Sequence, residues 1–107
     1  MSKSVLMVLT NPVPGQEEAF NDWYSNVHIQ EVVAVPGFVA AQRFALAPAQ
    51  MGGAGAHGYL ALYEVEGDPA AALDALKAAL PHLHMSDTLD RASISMQMFT
   101  AITERVS

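Results

Sequence analysis

The chain has 107 residues, 51% of them apolar, a net charge of −6 and no cysteine. Its five Lys and Arg residues form no run, which excludes the clustered cations a nucleic-acid binder sets against phosphates, and the missing cysteine excludes disulfides, thiolate metal sites and cysteine nucleophiles. One domain over residues 1–107 is expected, and so much apolar surface on so small a body argues that a second copy covers part of it, as a homodimer.

Ser4 to Thr10 is a continuous apolar run that predicts a strand buried on both faces, closed by the turn Asn11-Pro12-Val13-Pro14-Gly15. The apolar run is too short for a secretory signal and no cleavage site follows it, nor does any run have membrane-spanning length, so the expected location is the cytoplasm. A helix follows, with Pro14 near its first turn and Glu17 and Glu18 meeting the positive end of its dipole, and runs to about His28. Ile29 would fall opposite the aromatic face, so a bend is expected there, with Gln30 to Val35 as a short second turn that Pro36-Gly37 ends.

Phe38 to Leu46 predicts a second strand, with Phe38, Ala40, Gln42, Phe44 and Leu46 on one side and Val39, Ala41, Arg43 and Ala45 on the other. Ala47 to His57, rich in glycine, is a flexible connection. Gly58 to Glu66 is a third strand, with Tyr59, Ala61, Tyr63 and Val65 on one face. Asp68 caps a helix that Pro69 begins and Ala70 to Leu80 continues, with Leu73, Leu76 and Leu80 as its buried stripe. The polar segment His82 to Arg91 holds a short helical turn, and Ala92 to Thr103 is a fourth strand with Ile94, Met96, Met98, Thr100 and Ile102 on one face.

This order is the β-α-β-β-α-β pattern of the ferredoxin-like α+β fold, an antiparallel four-stranded sheet with helices on one face. Tyr59, Tyr63, Met96 and Met98 suit a solvated sheet face poorly, so two sheets are expected to pack face to face as a dimeric α+β barrel.

The richest stretch lies on the first helix. Phe20, Tyr24 and His28 recur every four residues and share one face, flanked by Trp23 and Val27. Tyr and His carry polar atoms that need partners when buried, so this row reads as a pocket wall. Together with Val35-Pro36-Gly37 and Arg43-Phe44, the pattern Trp23-Tyr24-x-x-x-His28 resembles the EthD-like branch of the dimeric α+β barrel superfamily. The resemblance covers nearly the whole chain as a fold pattern and about residues 11 to 46 as a motif. It implies that His28 is the polar centre of a cavity between helices and sheet, with Trp23 and Tyr24 near it. The wider superfamily holds aromatic polyketide cyclases, cofactor-free monooxygenases, muconolactone isomerase-like proteins and haem-handling enzymes, so the resemblance narrows architecture more than chemistry. The Gly-Ala tract from Gln50 to His57 matches no pattern of that branch.

As a general acid or base, His28 needs little tuning near neutrality, and Glu31, three residues on, could orient its ring; a core histidine satisfied by a carbonyl is the plainer alternative. Tyr24, Tyr59 and Tyr63 could donate to a carbonyl or enolate oxygen, though tyrosines on a sheet face more often only pack. Arg43 is either an anchor for an anionic substrate group or the ion-pair partner of a surface acid, and Trp23, Phe44 and His84 complete the expected substrate-binding set. His82 and His84 with Asp87 and Asp90 could take a divalent metal, but no third ligand has a fixed spacing, so the preferred reading assigns no metal and no cofactor.

The chain is thus expected to be a small cofactor-independent cyclase, isomerase or lyase acting on an apolar aromatic or cyclic carbonyl compound in a catabolic or polyketide-like pathway. A non-catalytic binding or accessory protein of a catabolic oxygenase system competes with it, followed by a cofactor-free monooxygenase and, last, a haem binder through His28.

Overall fold

The computed structural model describes residues 3–53 and 55–107; Met1, Ser2 and Ala54, the last within the glycine-rich connection, lie outside them. Ser4–Thr10 forms strand β1, within the bounds its apolar run predicts. Its residues alternate between buried and half-buried, because helices cover only one face of the sheet. The expected burial on both faces is therefore not met within one copy of the chain.

Helix α1 (Glu17–Trp23) leads into a π-helical stretch, Tyr24–His28, and on into α2 (Ile29–Val33). The bend expected after His28 is instead a widened turn within a continuous helix. Over four residues an α-helix overshoots one full turn by about 40°, whereas the wider π turn, closing on i+5, falls short of one. The two drifts offset each other, so Phe20, Tyr24, His28 and Val32 are all buried.

Strands β2 (Phe38–Ala45), β3 (Tyr59–Val65) and β4 (Ser95–Thr100) complete an antiparallel sheet in the order β2-β3-β1-β4. Helix α3 (Pro69–Ala79) starts on Asp68, whose carboxylate accepts from the Ala70 amide at 3.0 Å. Short 3-10 turns at Leu80–His82 and Arg91–Ser93 flank the loop before β4, which is shorter than its predicted span. The architecture is the expected ferredoxin-like α+β fold.

A one-residue shift in β2 decides which side chains reach the helices. Phe38 pairs with Val65 and Ala40 with Glu64, so Val39 is the extra residue of a β-bulge. Beyond it Ala41, Arg43 and Ala45 pair with Tyr63, Ala61 and Tyr59 and share their face. Simple alternation would have kept Phe38 and Phe44 together; the bulge buries Phe38 and leaves Phe44 on the other face, exposed.

Tyr59, Tyr63, Met96 and Met98 correct the expectation that they line the open face. They pair with Thr10, Leu6, Val8 and Leu6 of β1, the residues that β1 turns toward the helices. The open face still carries a broad apolar set, Val5, Met7, Leu9, Leu60, Leu62, Phe44 and Phe99, with Gln42, Glu64, Ser95 and Gln97 among them.

The buried stripe of α3 is centred on Ala72 and Leu76, with Leu73 and Leu80 only half-buried. The cause is the Pro36-Gly37 turn. A Cβ on Gly37, at φ +98°, would lie 2.8 Å from Ala72 Cβ, so two small residues let this backbone press against α3.

Candidate functional site

The π-helical stretch places His28 beneath the sheet with only 8% of its surface exposed. Its ring stacks on Trp23, centroids 4.6 Å apart and planes 22° apart, and meets Tyr24 nearly at right angles at 4.9 Å. Its Nδ1 is buried and has no hydrogen-bond partner. Burial pushes the imidazole down to about 4, against a smaller opposing pull from the Glu31 carboxylate, so at neutral pH the ring is uncharged.

His28 lines a cavity of about 30 Å³ with Leu6, Val8, Tyr24, Val32, Tyr63, Leu76, Leu80 and Met96. The Tyr24 and Tyr63 hydroxyls are 3.0 Å apart and bonded to each other. Two hydroxyls carry two hydrogens and their mutual bond uses one, so the pair keeps one donor free. Burial pushes both phenols up, and the tyrosine-to-tyrosine contact adds to this for Tyr63. They are therefore donors at physiological pH, and His28 is the group in the cavity able to take up a proton.

Glu31 does not orient His28 as expected. Its carboxylate accepts from the His84 backbone amide at 3.0 Å and bonds His84 Nδ1 at 2.7 Å, because the helix carries it toward the loop after α3. That bond holds Glu31 below the usual carboxylate range. The Trp23 indole donates to the His84 carbonyl at 2.7 Å, so His84 is tied at its backbone and ring while its side chain stays exposed. Among the described residues, no three His, Asp or Glu side chains converge to hold a metal ion.

Arg43, Tyr59, Phe44 and His84 do not line the His28 cavity. Arg43 packs on Phe20 and Tyr24 of the helix row and on Tyr59 of β3, its guanidinium 4.5 Å from the Tyr24 ring centre, 5.4 Å from that of Tyr59 and 5.5 Å from that of Phe20. It donates to Ser25 Oγ at 2.8 Å and Asn21 Oδ1 at 3.0 Å. Asn21 in turn donates to the Tyr59 hydroxyl, which donates to Glu17. Sequence reasoning missed Asn21 and Ser25. The signal was there, since Glu17, Asn21 and Ser25 recur every four residues as a polar stripe beside the aromatic one. Phe44 belongs to a depression of about 220 Å³ with Leu9, Leu46, Leu60 and neighbours at the open sheet face.

No protein-family model matches the chain, and no curated protein matches it. Solved structures match its fold along nearly its whole length. The heme-degrader MhuD from Mycobacterium tuberculosis, with two hemes bound in its active site, superposes with a TM-score of 0.62 at 19% identity over 96% of this chain and 99% of its own. An EthD family protein from Bacillus halodurans C-125 gives 0.58 at 12% identity, covering 92% and 97%. A dimeric ferredoxin-like protein of unknown function from Thermobifida fusca YX gives 0.50 at 15% identity, covering 94% and 92%. The likeness is one of fold, and that fold is the ferredoxin-like one expected from the order of elements. Among the described residues, no helix is long and apolar enough to cross a membrane.

Proposed function

We propose that this chain is a small cofactor-independent enzyme that moves a proton on an apolar aromatic or cyclic carbonyl compound bound at His28. The observation that carries the reading is the buried, unpartnered Nδ1 of His28 in a cavity shared with a hydroxyl pair that keeps a spare donor. Such an orphaned atom is uncommon in folded proteins and is costly unless a ligand completes it. No backbone group ties it up, which favours proton transfer over mere ligand holding.

In this mechanism His28 takes the proton from a carbon next to the substrate carbonyl. The electron pair of the broken C–H bond moves onto the carbonyl oxygen, which accepts a hydrogen bond from the free tyrosine hydroxyl. An imidazole held near 4 is a weak base at rest. The negative charge forming beside it favours the imidazolium, so its basicity rises as the reaction proceeds. Ring closure, a double-bond shift or loss of a leaving group can follow, which are the cyclase, isomerase and lyase outcomes; capture of the carbanion by oxygen is the monooxygenase outcome.

The cavity holds little more than a water as it stands, so a substrate displaces its partly exposed wall, Leu80 and Met96. A porphyrin is much larger than this cavity, so the proton-transfer reading is preferred to haem ligation by His28. Two copies packed through the apolar sheet face would complete the homodimer, and a dimeric neighbour of the same fold supports that assembly.

The test is solvent-deuterium exchange into the acidic C–H positions of a panel of cyclic and aromatic ketones, followed by NMR. Exchange is expected with the native protein and at least ~100-fold slower with His28→Gln. Binding without exchange would support the accessory-protein reading, and unchanged exchange in His28→Gln would overturn the mechanism.

A further inference from the structure

We propose that the groove between α2 and the edge strand β2 is a second ligand site, separate from the His28 cavity, for a monocarboxylate with an apolar tail. Arg43 would hold the head, and Ile29, Val33 and Ala41 the tail.

Charge is the first observation. Arg43 is half-buried, and among the described residues no carboxylate pairs with it. Its two hydrogen bonds go to neutral oxygens, and Glu17 is reached only through Asn21 and Tyr59. Lys3 is paired with Glu64, and Lys77, Arg91 and Arg105 are exposed, where water compensates them. Arg43 is therefore a cation whose desolvation is offset by ring faces and two neutral oxygens, with no counter-charge. Two of its five N–H hydrogens are used, leaving donors for an incoming anion.

Shape is the second. A groove of about 320 Å³ between α2 and β2 is lined by Ile29, Gln30, Val33 and Ala41. Ala41 and Arg43 are alternate residues on one face of β2, roughly 7 Å apart along the strand. Ser25, which receives the Arg43 bond, lies four residues before Ile29 on the helix. Arg43 therefore lies one strand step from Ala41 and, through Ser25, one helical turn from Ile29, on the edge strand β2.

Chemistry selects a carboxylate over a phosphate. Arg43 is the only Lys or Arg between residues 14 and 46, so a dianion would find one positive charge in a chain of net charge −6. A single guanidinium matches a single carboxylate in charge and planar geometry.

The test is calorimetric titration with butanoate, hexanoate and octanoate, with octanol as the uncharged control. Affinity is expected to rise about fourfold per methylene, and octanoate to bind at least ~10-fold tighter than octanol, as a charge-assisted bond requires. Arg43→Gln should bring octanoate down to the octanol level, and Val33→Asp should abolish both, with thermal melting verifying that each variant folds. Arg43→Lys keeps the charge without the planar fork and should retain part of the preference. His28→Gln should leave octanoate binding unchanged. Equal binding of octanoate and octanol, no binding of either, or loss of octanoate in His28→Gln would overturn the proposal. The two cavities share no lining residue, but Arg43 packs on Tyr24 of the His28 cavity, so the His28→Gln titration, which leaves Arg43 in place, is the measurement that separates this result from the exchange experiment.

Discussion

The imidazole of His28 lies flat against the indole of Trp23, 4.6 Å between centroids, and that stacking helps close the histidine off from water. A ring so enclosed must charge when the protein is acidified, and the consequence for stability has a definite sign. The folded value is about 4 and the ordinary one 6.5, so the unfolded chain takes up the proton first as pH falls. Stability from this group is complete above pH 6.5 and is lost as pH falls toward 4, by about 3 kcal/mol in all. Urea midpoints measured across that range are expected to drop for the native protein and to fall much less for His28→Gln.

The hydroxyl pair of Tyr24 and Tyr63 supports a second prediction. Tyr63→Phe leaves the buried Tyr24 hydroxyl without its partner, and is expected to destabilise the fold by ~1–3 kcal/mol. The double variant with Tyr24→Phe should lose less than the sum of the singles, because both remove one shared bond. Denaturant titration of the four proteins measures the coupling.

Gly37 is expected to resist substitution. Its φ of +98° is strained for any residue with a Cβ, and that Cβ would meet Ala72 at 2.8 Å. Gly37→Ala should cost about 1–3 kcal/mol, and adding Ala72→Gly should return only the part due to the clash, since the backbone strain persists. Thermal melting of Gly37→Ala, Ala72→Gly and the double variant separates the two terms.

The open sheet face should carry self-association. Leu62→Glu places a charge between Met7 and Gln42, its cross-strand neighbours, without touching the helix-facing core. Sedimentation is expected to show a dimer for the native chain and a monomer for this variant, with circular dichroism unchanged. A native monomer at micromolar concentration would refute the sheet-to-sheet assembly.

Element type and order were legible because they follow from local periodicity. The bounds of β1 and the Asp68 cap of α3 match their predictions, since an apolar run and a cap are written in neighbouring residues. The row Phe20, Tyr24 and His28 was legible for the same reason. Two one-residue adjustments were not. The π turn at Tyr24–His28 and the bulge at Val39 leave composition unchanged but reset the phase of everything after them. That reset moved Phe44 to the open face and brought Arg43 to the helices.

From the sequence alone came the ferredoxin-like order of elements, the absence of cysteine chemistry and a histidine set among aromatics. Only the tertiary structure decided which groups meet: Tyr24 with Tyr63 and Glu31 with His84, 39 and 53 residues apart. The division has a physical cause. Periodicity records which side of an element is apolar, whereas partners across elements depend on register and twist, which a single inserted residue changes without altering the pattern on either side.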